Sequence, residues 1–475
     1  MISLMEFLSL AVAALLGWFG IRLWIPEAGG ASRWAPLLQV ALGIALGIGV
    51  TSCLYFLLLI AGAARLLIVL GVDLLALLAA GAAWWFRRKS TGAAHDSSPA
   101  FTWNWALAIA AAAMAAMFVT AFVNFSEFNP QGGWDAFAIW NLRAQFLLHR
   151  ETWRYAVTAL PTGTHMEYPL LLSSAIARGW LYGGAAATAV PIAIALLLSL
   201  SLAALVTSTL SIVRGAAAGL LAGLILLANQ IVFSAAPDQY ADLPLAFFGL
   251  CAIAILTLDR SPRYLALGGL FAAFAAWTKN EGMLLLIAVA LALLATAWRT
   301  AGTRAAIRQT GFFLFGAVPV LCLVLCFKLF LAPPDPLVGG MGAGLLRKIG
   351  DPARWVHIVA GFGKGLPAVA LLLLALAAGL LRPRPAAQRT PVLFLPLLAF
   401  AIILAGDFAV FLLTPDDVEW LLSTALDRLY LQLWPLLVFA TFLLLRRPED
   451  FAIASAPAPS RSKERSPKRS RNQVN

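Results

Sequence analysis

Residues 36–61 contain no Asp, Glu, Lys or Arg, and stretches of the same character recur along the whole chain. Crossing a bilayer takes about 20 apolar residues, because helix rise times residue count must match the hydrocarbon thickness. Lipid offers the backbone no hydrogen-bond partner, so such runs must satisfy their own amides as helices. Composition agrees: 61% of residues are hydrophobic and 12% charged, against about a quarter charged in soluble domains. The sequence therefore predicts an all-α polytopic membrane protein. Its spans fall near 5–25, 36–61, 66–86, 101–124, 185–209, 215–234, 240–258, 264–278, 283–298, 311–332, 366–381, 391–413 and 428–445. That makes about thirteen crossings. Segments 264–278 and 283–298 are short for full spans, and 169–182, apolar around Arg178, reads as an interfacial helix or a partial crossing. No cleavable signal peptide is expected, since the first residues lack a basic start and no small-residue cleavage site clearly follows.

Short loops carrying Lys or Arg resist translocation. The basic turns are Arg87–Lys89, Arg214, Arg260/Arg263, Arg299/Arg304/Arg308, Arg382/Arg384/Arg389 and Arg446/Arg447. Counting spans puts all of them on one side, which predicts an outer amino terminus and a cytoplasmic carboxyl terminus in a bacterial inner membrane. The opposite side gathers Glu127, Asp135, Glu151, Glu167, Asp238, Asp242, Glu281, Asp335, Asp351, Asp416, Asp417, Glu419 and Asp427. Avoidance of the basic side accounts for part of this. It does not account for carboxylates set against span ends among aromatic rings.

The net charge of +12 draws on a Ser/Pro/Ala-rich tail, 452–475, with six basic residues. Such a tail cannot build a core, and on the cytoplasmic side it meets anionic lipid rather than nucleic acid. Cys53, Cys251, Cys322 and Cys326 all lie in spans and read as small packing residues, with no disulfide or zinc spacing. Gly43 and Gly47 suit close helix packing. The glycines of 339–344 lack the Lys-Ser/Thr of a phosphate loop and read as a flexible external loop.

Chemistry concentrates in a polar island, 125–169, and three later elements. The island holds Trp134 and Asp135, then His165, Glu167 and Tyr168. A carboxylate against aromatic surface at a membrane boundary is partly dehydrated, which suits a general base. With a helix starting near Tyr240, Asp238 precedes its N-terminus and Asp242 lies in the first turn. Both could cap the helix, and both remain available for function. They are also hard oxygen ligands, a candidate pair for a divalent metal; no other cofactor is implied. Lys279 and Glu281 lie in a polar break between short apolar segments, either a plain ion-paired turn or a lysine that meets phosphate oxygens. The outer segment 414–428 ends with Arg428 at the start of the last helix. That residue could grip phosphate in bidentate fashion, pair with Asp427 or anchor the boundary.

Three classes of function compete. A transporter or flippase of a lipid-linked glycan would use charges inside spans, here Asp73, Lys328 and Asp407, but these are isolated in sequence and no half of the chain repeats. A scaffold would need none of the polar elements. An enzyme acting on a lipid-linked substrate would cluster acids, bases and aromatics at one end of the bundle, which fits the pattern best.

The order of these elements is an early Asp135 in a long first outer loop, then His165, Tyr168, Pro169, Leu170 and Leu171, then Asp238 to Pro244, then Trp277 to Gly282. In this order the chain resembles the C-type (GT-C) glycosyltransferase superfamily, in the branch containing protein O-mannosyltransferases and aminoarabinose–lipid A transferases. The likeness covers about residues 101–445, leaving three additional helices within 1–100 and the tail 446–475. It implies an inverting transfer of sugar from a polyprenyl-phosphate carrier to a hydroxyl or phosphate of a glycan, lipid or protein acceptor. Asp135 would be the general base, and Trp134, His165, Glu167, Tyr168, Asp238, Asp242, Lys279, Glu281 and Arg428 would bind substrate. Lys279 and then Arg428 would contact the donor phosphate. The family's Asp-Glu pair is broken here, as Ala136 follows Asp135, so a second carboxylate would be Glu167, Asp238 or Asp242. Residues 165–169 replace a lysine-containing stretch, and His165 either meets phosphate or has a structural role.

Overall fold

The computed structural model describes residues 3–90, 105–158, 164–342, 344–385, 388 and 391–447. The expected basic tail lies almost entirely outside them. Four helices lead: α1 (Leu4–Trp24), α2 (Ala35–Ile60), α3 (Leu66–Ser90) and α4 (Trp105–Phe128). The polar island follows as a π-helical turn (Ala136–Asn141), α5 (Leu142–Leu148) and a 3-10 turn (Trp153–Val157), before the largely buried α6 (Leu171–Gly183). Next come α7 (Ala189–Arg214), α8 (Ala216–Leu227), α9 (Gln230–Ala235), α10 (Asp242–Leu258), α11 (Pro262–Thr278) and α12 (Glu281–Phe330). The chain closes with α13 (Pro336–Met341), α14 (Leu345–Ile349), α15 (Pro352–Lys364), α16 (Ala368–Leu381), α17 (Leu395–Leu413) and α18 (Val418–Leu444). No strand occurs among the described residues.

Eight helices are long and apolar enough to cross a membrane, and a ninth span arises if α15 and α16, bent by 73°, count as one. The protein is an all-α, multi-span membrane protein. Several boundaries differ from the sequence reading. The expected spans 283–298 and 311–332 run together in α12, broken only at Gly302. There φ is 79°, a left-handed value open to a residue without Cβ. Helices α8 and α10 are apolar but short. The glycine-rich segment expected as a loop is partly the helix α13. The last helix begins at Val418, capped by the Asp417 carboxylate on the Trp420 amide at 2.8 Å. Arg428 is thus well inside the helix and not at its start. Cys322 and Cys326 face outward from α12, whereas Cys53 and Cys251 are buried.

Apolar side chains gain little by exchanging lipid tails for each other, so close backbone approach and polar ties must hold such a bundle. At the α1–α2 seam a Cβ on Gly43 would lie 2.8 Å from the Trp18 Cα, and one on Gly47 would overlap the Ala13 carbonyl. Gly47→Val should force the seam apart, costing about 1–3 kcal/mol as an overpacked contact. A thermal unfolding midpoint in detergent equal to wild type would show that this seam carries no stability.

Polar ties bind α6 and the island to the N-terminal helices. Arg178 on α6 donates to the Asp73 carboxylate from Nε (3.1 Å) and Nη2 (2.5 Å), and to the Ser9 carbonyl (2.9 Å). The Tyr182 hydroxyl donates to the same Asp73 oxygen at 2.6 Å. Asp73, isolated in sequence, is therefore an internal tie among α1, α3 and α6. On α2, Ser52 and Tyr55 donate to the carbonyls of Leu171 (2.6 Å) and Leu147 (2.8 Å), seating the island on that helix.

Candidate functional site

The Gly132–Gly133 step docks the island onto the segment ahead of α10. The Gly133 amide donates to the Asp238 carbonyl at 3.0 Å, and Gln239 reaches the Pro130 carbonyl at 3.3 Å. A Cβ on Gly132, whose φ is +73°, would sit 2.6 Å from that Asp238 carbonyl. Only glycine permits so close an approach in this conformation. The docking delivers Asp135 to the head of the π-helical turn, a distortion often found at functional sites.

Asp135 faces Arg428 of α18 at 2.7 Å. The same guanidinium reaches Asp242 at 3.1 Å and lies 5.0 Å above the Tyr240 ring. Asp242 also accepts from Lys279 at 2.9 Å and from Gln432 at 2.6 Å. Lys279 completes the chain with Glu281 at 2.6 Å. Three carboxylates thus surround two cations, drawn from the island, the start of α10, the α11–α12 turn and α18. Burying charges costs several kcal/mol per ion, roughly, and only such mutual pairing offsets it. Burial alone would weaken the Lys279 ammonium, but Asp242 and Glu281 hold its proton above the ordinary lysine range. One Glu281 oxygen is buried without a hydrogen-bond partner.

Tyr168 roofs this network. Its ring stacks between Trp140 (5.7 Å) and His165 (4.7 Å), with Lys279 5.8 Å from its centre. His165 Nδ1 meets Glu167 at 2.8 Å. Burial pushes the Glu167 carboxyl up, yet the hydrogen bond from His165 and the nearby charges of His165 and Arg143 hold it below the usual glutamate value. Arg143, wholly buried, fastens the strand of chain behind it by donating to the carbonyls of Ala156, His165 and Met166.

The structure thus brings Asp135, Asp242, Lys279, Glu281 and Arg428 into one network, with Tyr168 above it and His165–Glu167 beside Tyr168. Trp134 stands apart on an exposed rim, edge-on to Phe137. Asp238 meets the island through its backbone; burial raises its carboxyl's proton affinity.

Four expectations need correcting. Asp242 does not cap α10, whose N-cap is Ala241, because its oxygens face Lys279, Gln432 and Arg428. The proposed metal pair Asp238/Asp242 fails for the same reason. A cation would have to displace an ammonium and a guanidinium, and no group of three metal-ligating side chains occurs among the described residues. Arg428 pairs with Asp135 and Asp242, not with Asp427. Lys279, the first choice for a phosphate contact, is 3% exposed and enclosed by two carboxylates.

Gln432, Lys328 and Asn280 were not among the expected site residues. Gln432 lies four residues after Arg428, one helical turn along the same face, and a buried amide in an apolar helix is the signal that could have found it. Lys328 at the end of α12 donates to the Asn280 side chain and the Glu167 carbonyl, each at 2.6 Å.

A narrow cleft lined by Gly249, Glu281, Leu285, Ile403, Gln432 and Leu433 starts at the network. Leu433 is shared with a cavity of about 220 Å³ at the α15–α16 bend, walled by Phe362, Leu366, Pro367, Leu404 and Trp434. No family model, curated protein or solved structure matches this chain.

Proposed function

We propose that the protein is an inverting glycosyltransferase that moves a sugar from a polyprenyl-phosphate carrier to an acceptor hydroxyl at the outer face of a bacterial inner membrane. The carrying observation is the Asp135–Arg428–Asp242–Lys279–Glu281 network, charged and roofed by an aromatic ring, with a narrow cleft beside Glu281. In this reading the chain is a GT-C-like bundle that crosses the membrane about thirteen times. Helices α8, α10 and α11 are short crossings, α12 counts twice about Gly302, and α15–α16 count once. The network then sits outside and the carboxyl terminus inside.

Asp135 has the placement of a base. Its side chain is 14% exposed, within reach of an acceptor, and the Arg428 guanidinium holds it in place at 2.7 Å. The acceptor oxygen attacks the anomeric carbon as its proton passes to Asp135. The carbon–oxygen bond to phosphate breaks on the opposite face, and the phosphate departs with the electron pair. One base suffices for a single displacement, and an anionic leaving group needs cations more than an acid. In this reading the isoprenoid chain lies in the apolar cavity at the α15–α16 bend. The exposed Trp134 and Phe137 offer stacking surface to an acceptor glycan or lipid.

The test is an assay of purified protein in proteoliposomes with a polyprenyl-phosphoryl sugar. Release of polyprenyl phosphate together with an inverted glycoside supports the reading. Movement of the intact lipid-linked sugar across the bilayer, without bond cleavage, would replace it with a flippase.

A further inference from the structure

Four cations lie in or beside the site, and three are already committed. Lys279 lies against Asp242 and Glu281, and Arg428 against Asp135 and Asp242. A phosphate arriving at either would add a third anion to a cation that already has two. Arg143 is fully buried, with its N–H groups turned to backbone carbonyls.

Lys328 differs. Its ammonium, half-buried, donates to two neutral oxygens, Asn280 Oδ1 and the Glu167 carbonyl, each at 2.6 Å. It forms no ion pair within 4.0 Å among the described residues. An ammonium carries three donors, so one N–H remains, and no carboxylate accepts from it directly. The aim of that charge is built in. Asn280 donates its amide to Asp335 at 2.9 Å, which turns its carbonyl oxygen toward Lys328. A lysine in the last turn of a helix ordinarily serves its own carbonyl end. Lys328 instead crosses to the turn between Lys279 and Glu281 and to the residue before Tyr168. The nearest acids are held by other donors: Asp335 by Asn280 and the Leu337 amide, Glu167 by His165.

We propose that Lys328 is the residue that binds the donor's phosphate, an ammonium held by Asn280 and the Glu167 carbonyl beside the turn that carries Lys279 and Glu281. The proposal rests on the lipid-phosphate reading above. In it Lys279 and Arg428 shape the acidic network and hold Asp135, while Lys328 supplies the charge that meets the leaving group.

Purified full-length wild type, Lys328→Met and Lys328→Arg would be titrated separately with polyprenyl monophosphate, the uncharged polyprenol and inorganic phosphate. Thermal unfolding of each variant would check its fold. Losing a charged hydrogen bond should weaken polyprenyl monophosphate binding about ten- to a hundredfold in Lys328→Met. Lys328→Arg should recover part of the loss, and polyprenol binding should not change. Lys328→Met binding the phospholipid as wild type does would overturn the assignment and leave the proposed function standing. Wild type binding inorganic phosphate through Lys328 but not the lipid would keep the anion site and remove the lipid-linked donor. Wild type binding neither would remove both. If Lys328→Met does not fold, wild-type affinity in Lys328→Gln would overturn the assignment, and a loss rescued only by Lys328→Arg would support it.

Discussion

Asp135→Asn is expected to abolish nearly all sugar transfer, lowering turnover by about 10²- to 10⁴-fold, the usual contribution of a positioned base. The substitution keeps the shape of the side chain, and its amide oxygen can still accept from Arg428, which retains Asp242 at 3.1 Å. The fold and the donor's dissociation constant should therefore stay near wild type. What is lost is a group able to take the hydroxyl proton. The informative comparison is turnover against donor affinity. Turnover that falls with affinity unchanged marks a base, whereas a parallel loss of both marks a residue that only shapes the pocket. Wild-type turnover would exclude Asp135 as the base and leave the network an electrostatic role alone.

The second large effect is structural. Asp242 is wholly buried and is the hub of the network, touched by Lys279, Gln432 and Arg428. Asp242→Ala would leave Lys279, itself 3% exposed, with one carboxylate in place of two. Breaking a buried ion pair by removing one partner costs about 3–5 kcal/mol, because the remaining charge keeps its desolvation penalty. The thermal midpoint should fall steeply and activity with it. Asp242→Asn, which preserves volume and one acceptor, should be milder. Removing the stranded charge as well, in Asp242→Asn with Lys279→Met, should restore part of the midpoint but not the activity; the double-mutant cycle measures this coupling. An Asp242→Ala protein that unfolds at the wild-type temperature would show that Asp242 does not hold the bundle together.

Much of the architecture is legible in the residues alone. The helical, membrane-spanning character follows from apolar runs such as α2 and α7, since lipid leaves their backbones no other solution. The close α1–α2 seam was readable in Gly43 and Gly47. The concentration of acids opposite the basic turns marked Asp135, Asp242, Lys279 and Glu281 as neighbours of one end of the bundle. Helix boundaries were less legible. Residues 418–428 are polar enough to read as a loop, and the helix nevertheless extends through them, because Asp417 caps it and Arg428 finds two carboxylates inside the bundle.

Partner choice was not legible at all. Arg428 stands next to Asp427 in sequence and pairs with Asp242, 186 positions away; Asp242 takes Gln432 from 190 positions away. A charge in low dielectric is held by whichever opposite group the packing of several helices brings within 3 Å or so, and no local pattern encodes that. So the amino-acid pattern alone settles that this chain is a helical membrane protein and which polar residues it has to spend. Tertiary packing alone settles how those charges are partnered: Lys279 and Arg428 against carboxylates within the network, Lys328 against the neutral oxygens of Asn280 and Glu167.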